Sequence, residues 1–124
     1  MRLYKGIGTA LAGAIALVFA ATSAPAQQAI DATAALQERS IGSPDAPVTV
    51  IEYFSLTCPH CASFHNDIYG DLKQKYVDTG KVRFVYKEFP RDGVDLRAGM
   101  MARCADPRRY AGLVQVLFKN QPNW

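Results

Sequence analysis

Two cysteines separated by two residues are the groups best suited to chemistry in this sequence. Cys58 and Cys61 enclose Pro59 and His60, and they follow a run of β-branched and aromatic residues at 48–54. That run predicts a largely buried strand, and the residues after the cysteines have the spacing of a helix. A Cys-x-x-Cys pair in this setting is typical of thiol–disulfide exchange. The pattern therefore predicts a redox-active Cys58–Cys61 disulfide and no other cofactor.

The cysteines lie in the first turn of the predicted helix, which extends from Pro59 to about Asp78. Its predicted inner stripe has a spacing of four residues: Phe64, Ile68, Leu72 and Tyr76. Unpaired backbone N–H groups and the helix dipole favour an anion at this end, so we expect a stabilised thiolate on Cys58. Pro59 fits the first turn, and a cationic His60 would lower the pKa of the thiol further.

Glu52 is a carboxylate within an otherwise apolar strand, where burial is costly unless the group is paired or protonated. Two interpretations are open. In one, Glu52 is a strand-end carboxylate that reaches solvent or pairs with a lysine such as Lys87. In the other, it accepts or donates protons near the cysteine pair.

Other classes of function use the same residues. His65 lies at the edge of the helix stripe, where a packed, hydrogen-bonded role is favoured over a catalytic one. A metal-binding module would use Cys58, Cys61 and His65 as ligands to copper or zinc, but one Cys-x-x-Cys without a second ligand pair is weak evidence for a closed zinc site. A purely structural disulfide is a further alternative, and the strand–helix context argues against it.

The first 26 residues predict a cleaved export signal. Arg2 and Lys5 form a basic start, residues 7–21 are almost wholly small and apolar, and Ala24-Pro25-Ala26 fits a cleavage pattern. The alternative is a retained membrane anchor, but the apolar run is shorter than the roughly 20 residues that span a bilayer. Export favours the periplasm, where disulfides persist. Removal of the signal leaves twelve basic and eleven acidic residues, a balance that gives no indication of nucleic-acid binding.

The remaining residues predict one small α/β domain. A loosely ordered lead, 27–40, has at most a short helix or edge strand near 34–39, and the domain begins near residue 41. Residues 81–87 alternate as a second strand, which completes a right-handed βαβ unit with parallel strands. Because a two-stranded sheet is marginal by itself, we expect the sequence to be the first part of a longer protein.

Two helical segments are predicted after residue 93. The first places Leu96, Met100 and Cys104 on one inner row, so Cys104 is predicted to be a buried thiol or half of a structural disulfide. The methionines are expected to fill the core. The second segment starts at Asp106-Pro107, a capping carboxylate followed by a proline at the first position.

The sequence resembles the DsbA family of thioredoxin-fold thiol oxidoreductases over about residues 41–124. The resemblance rests on four segments: Glu52-Tyr53-Phe54-Ser55, Cys58-Pro59-His60-Cys61, Lys87-Glu88-Phe89-Pro90, and the helical part that ends in Gln121-Pro122-Asn123-Trp124. It implies a thioredoxin fold with a helical insertion. We expect the fold to be incomplete over these residues, since they contain neither the family's cis-proline loop nor its later antiparallel hairpin.

The resemblance also implies roles for residues and partners. Cys58 corresponds to the family's exposed nucleophile, Cys61 to its buried resolving cysteine, His60 to the residue that stabilises the thiolate, and Glu52 to the buried acid. The implied activity is disulfide formation in reduced exported proteins, with reoxidation by a membrane partner that passes electrons to quinone. A reductase or isomerase would use the same cysteines, although the histidine between them favours an oxidant. Some members pair a cysteine in the helical insert with a later one, as Cys104 would.

Overall fold

The computed structural model describes residues 32–124. The predicted export signal at 1–26 lies outside the described residues. Within 32–124, none of the helices combines the length and the apolar character that crossing a membrane requires. The structure has both of the elements considered for residues 34–39: α1 is Ala32–Leu36, and strand β1 is Arg39–Ile41. The start of the domain near residue 41 stays a prediction.

One three-stranded sheet organises the fold, in the order β1-β3-β2. Strand β2 is Val48–Phe54 and strand β3 is Val82–Glu88. They pair in parallel, as predicted, while β1 pairs with β3 in the antiparallel sense. The expected burial of β2 is correct for one face only. Its residues alternate, with Glu52 and Phe54 directed inward and Tyr53 71% exposed.

The helical stretch 59–77 connects β2 to β3. It consists of α2, Pro59–Ser63, a π-helical segment, Phe64–Ile68, α3, Tyr69–Leu72, and a second π-helical segment, Lys73–Val77. In the π segments the backbone N–H groups of Tyr69 and Asp78 donate to carbonyls five residues earlier. These wider turns change which residues face the sheet.

The predicted inner stripe of this helix is therefore wrong in part. Ile68 and Tyr76 are 54% and 49% exposed. The buried positions are Ala62, His65, Tyr69 and Val77, whose spacing of three, four and then eight residues departs from a regular row.

Two further helices pack beside the sheet: α4, Gly93–Cys104, and α5, Tyr110–Lys119. A short 3₁₀ turn precedes α5, and another follows it at Gln121–Asn123. The predicted inner row of α4 is wrong, because Leu96 and Met100 are at least half exposed and Cys104 is exposed. Small residues allow close approach instead, and the buried face of α4 consists of Asp95, Ala98, Gly99 and Ala102.

Candidate active site

The cysteine pair lies where β2 ends and the helical stretch 59–77 begins. A tight turn precedes it, in which the N–H of Cys58 donates to the carbonyl of Ser55 at 3.1 Å. Cys58 caps the helix in an extended conformation, and its carbonyl accepts the first helical hydrogen bond, from Ala62, at 3.1 Å. Pro59 occupies the first turn, where no intrahelical N–H is needed. Both cysteines are partly exposed free thiols.

The pKa of the Cys58 thiol is lowered from its ordinary value of 9.0. The largest cause is a hydrogen bond from the backbone N–H of Cys61, and the thiol of Cys61 and the backbone N–H of His60 contribute further hydrogen bonds. The positive charge of Arg91 acts in the same direction, while burial opposes it. The helix start therefore stabilises a thiolate on Cys58, as the sequence predicts.

The pKa of the Cys61 thiol is raised, chiefly by burial. The hydrogen bond to Cys58 and the negative charges of Cys58 and Glu52 act in the same direction, whereas the backbone N–H of Ser55 opposes them. The two thiols thus differ in character. Cys58 is the better nucleophile near neutral pH, and Cys61 keeps its proton.

Glu52 contacts His65, and its negative charge acts on the Cys61 thiol. Its two carboxylate oxygens are 3.1 and 3.0 Å from Nε2 of His65, and its side chain is 13% exposed. Of the interpretations left open for Glu52, the pairing with Lys87 is wrong. Glu52 is in register with Tyr86, so Lys87, one residue further along β3, points to the opposite face of the sheet, where it contacts Glu38 at 3.2 Å.

The His65 ring has stacking partners on both faces and a polar contact at each ring nitrogen. Its ring stacks between Tyr69 and Phe118, with ring centroids 4.7 and 4.3 Å away. Nδ1 lies 2.8 Å from the side-chain oxygen of Gln115, whose amide nitrogen donates to the carbonyl of His65 at 3.4 Å. Because an amide oxygen only accepts, Nδ1 donates to it and Nε2 faces Glu52.

This arrangement leaves no ring nitrogen of His65 for a metal. Among residues 32–124, no group of three or more His, Cys, Asp or Glu side chains is placed to hold a metal ion. The packed, hydrogen-bonded role predicted for His65 is the one the structure has.

Four of the residues predicted for the site form the helix start: Cys58, Pro59, His60 and Cys61. Glu52 lies on β2, and its charge acts on Cys61. His60 contributes through its backbone N–H while its side chain is exposed, so the role of its imidazole stays a prediction. Cys104 is a free, exposed thiol on α4, so its predicted burial is wrong.

The sequence analysis missed four residues that either contact the loop before Cys58 or carry a charge that acts on the Cys58 thiol: Arg91, Asp92, Asp95 and Gln121. Asp92 is the N-cap of α4, with its side chain accepting from the N–H groups of Val94 and Asp95, and it also accepts from the hydroxyl of Thr57 at 2.7 Å. A signal was present, because Asp92 follows a Phe-Pro turn and is one residue before a glycine, a typical helix start.

A strand–helix–strand unit with a Cys-x-x-Cys at the start of its helix defines a thioredoxin-like protein. The family model described as Thioredoxin matches residues 34–124. A protein of Rickettsia bellii that carries the provisional name protein-disulfide oxidoreductase is 42% identical over 85 residues, which are 68% of this chain and 33% of that protein. Disulfide bond formation protein D of Bacillus subtilis is 31% identical over 67% of this chain and 39% of its own length.

Solved structures show the same relationship. The crystal structure of alpha-DsbA1 of Wolbachia pipientis superposes with a TM-score of 0.68 at 36% identity, covering 72% of this chain and 45% of that one. The chain belongs to the DsbA-like group of the thioredoxin family, and the predicted α/β thioredoxin-like fold is confirmed. The chain spans about a third of the length of the curated relatives it matches.

Proposed function

We propose that this protein is a thiol:disulfide oxidoreductase that donates the Cys58–Cys61 disulfide to reduced proteins. The observation that carries the proposal is the opposite displacement of the two thiol pKa values, down for Cys58 and up for Cys61. A stabilised Cys58 thiolate favours the reduced form of the pair, and a pair whose reduced form is favoured is an oxidant. The same relationship makes DsbA a strong oxidant.

The reaction has two exchange steps. A thiolate of the reduced substrate attacks the sulfur of Cys58, the Cys58–Cys61 bond breaks, and Cys61 leaves and takes up a proton. The substrate's second thiol then loses its proton and attacks the substrate sulfur of the mixed disulfide. Cys58 leaves as a thiolate, the substrate gains one disulfide, and the pair gains two electrons.

Glu52 serves as the proton donor and acceptor for Cys61 in this scheme. Its negative charge acts on the Cys61 thiol, and its side chain is 13% exposed, so few waters compete for the proton. Pro59 fixes the backbone at the helix start, and His60 supports the thiolate.

The proposed setting is the periplasm. The basic start, apolar run and Ala24-Pro25-Ala26 of the first 26 residues support export, and an oxidising compartment suits a disulfide donor. Reduced exported proteins are the proposed substrates. A membrane partner that passes electrons to quinone is the proposed oxidant that regenerates the disulfide.

A peptide with two reduced cysteines tests the proposal. The oxidised protein should convert it to its disulfide, and Cys58→Ser should abolish the reaction. Cys61→Ser should also abolish it, because without Cys61 the protein cannot hold the Cys58–Cys61 disulfide that it donates. Cys104→Ser is the matched control, since it removes an exposed cysteine on α4 outside the pair. A Cys58→Ser protein that still oxidises the peptide would contradict the proposal.

A further inference from the structure

Asp95, on the first turn of α4, holds the loop 55–58 from one side. It is buried, and it accepts from the backbone N–H of Leu56 at 2.8 Å and from the hydroxyl of Ser55 at 2.5 Å. It also accepts from the backbone N–H of Arg91 at 3.1 Å. One buried carboxylate therefore fixes both the loop before Cys58 and the backbone of a cation whose charge acts on Cys58.

Gln121, in the 3₁₀ turn after α5, holds the same loop from the other side. Its amide nitrogen donates to the carbonyl of Leu56 at 2.7 Å and to the carbonyl of Cys58 at 3.1 Å. The backbone of Leu56 is thus bound at both ends, its N–H by Asp95 and its carbonyl by Gln121. Asp95 lies 39 positions after Leu56 in the sequence, and Gln121 lies 65 positions after it.

We infer that Asp95 and Gln121 are positioning residues that hold the loop 55–58 in the conformation in which the helix start stabilises the Cys58 thiolate. The carbonyl of Cys58 faces Gln121 and Ala62, and the N–H groups of His60 and Cys61 face the Cys58 sulfur. If the Cys58 peptide could rotate, the N–H groups of His60 and Cys61 would form hydrogen bonds to the Cys58 sulfur less often. The segment after β3 is then part of the redox site.

This inference rests on the proposed function, because it concerns the same cysteine pair. Two variants weaken the contacts with little change in side-chain size: Gln121→Met removes both hydrogen bonds that the Gln121 amide donates, and Asp95→Asn replaces one accepting oxygen of Asp95 by a donor. Gln74→Met and Asp67→Asn are the matched controls, because both residues are exposed on the helical stretch 59–77. All variants are made in the complete chain, and folding is checked by urea unfolding.

The acid dissociation of Cys58, followed by thiolate absorbance against pH, is the first readout. Gln121→Met should decrease the dissociation constant about two- to tenfold, the range that loss of roughly one net hydrogen bond predicts. The equilibrium with glutathione is the second readout. Gln121→Met should require a more reducing mixture by a similar factor, since a weakened thiolate makes the reduced pair less favourable.

The results separate a positioning role from a structural one. A Gln121→Met protein that is folded but matches Gln74→Met in both readouts would overturn the inference, whatever its stability. Asp95→Asn should move both readouts in the same direction as Gln121→Met, and if it fails to fold, Gln121→Met alone decides. An inactive parent protein would refute the proposed function, but it would leave this comparison of Cys58 acidity intact.

Discussion

Replacement of His65 by leucine should destabilise the protein because it removes one partner of a buried pair. The Glu52 carboxyl contacts Nε2 of His65 at 3.0 Å, and the His65 side chain is fully inaccessible. Without the imidazole, the carboxyl keeps its burial but loses that partner. Loss of one partner of such a pair typically costs about 3–5 kcal/mol, and we expect about 3 kcal/mol here because the Glu52 side chain retains 13% exposure.

The double variant Glu52→Leu, His65→Leu should be more stable than the single variant His65→Leu. It replaces the pair with apolar groups, an exchange that is often nearly neutral. Glu52→Leu alone should cost about 1–2 kcal/mol, since it leaves one ring nitrogen without a partner. The four proteins form a double-mutant cycle with an expected coupling of about 4–5 kcal/mol, the sum of the two single losses less a double loss near zero.

Urea unfolding of the four reduced proteins measures the cycle. The midpoints should fall furthest for His65→Leu and recover in the double variant. If His65→Leu costs less than about 1 kcal/mol, or if the two single losses simply add, the buried pair does not stabilise the site and the reasoning is refuted.

Three other predictions concern the cysteines. Arg91→Gln should raise the pKa of Cys58 and decrease its acid dissociation constant by about two- to threefold, as expected for an exposed charge; unchanged alkylation rates against pH would contradict this. The free energy of unfolding of the reduced protein should fall as the pH falls below 9, because the lowered pKa of Cys58 contributes stability that is complete above the unfolded pKa and is lost as the pH falls through the folded pKa; Cys58→Ser should remove that slope. Cys104→Ser should leave the glutathione equilibrium unchanged, and a shift would show that this exposed thiol communicates with the pair.

The βαβ unit and the cysteine site could be predicted because their signals are local. The apolar run of β2, the cysteines and the helix start are contiguous, so propensity and capping rules apply directly. The inner stripe of the helical stretch 59–77 was predicted from a local spacing as well, and that prediction is wrong in part. Two π segments shift the inward face by a residue, and nothing in a spacing of four residues reveals them.

Other features depend on tertiary contacts. To predict the partner of Glu52, one must know which face of β2 carries Glu52 and how β2 is aligned with β3. The sequence alone therefore does not distinguish Lys87 from His65. On α4 the apolar row is exposed because the small residues Ala98 and Ala102 let the helix pack closely on its other side. Asp95 and Gln121 lie far from Cys58 in sequence, and only the folded chain brings them to the loop.

The thiolate titration of the reduced protein tests the central claim most directly. Absorbance against pH should show one thiol that ionises below 9.0, and this transition should persist in Cys61→Ser, whose hydroxyl still donates to Cys58, and disappear in Cys58→Ser. A low transition that survives Cys58→Ser, or its absence from the parent protein, would contradict the assignment of Cys58 as the stabilised nucleophile.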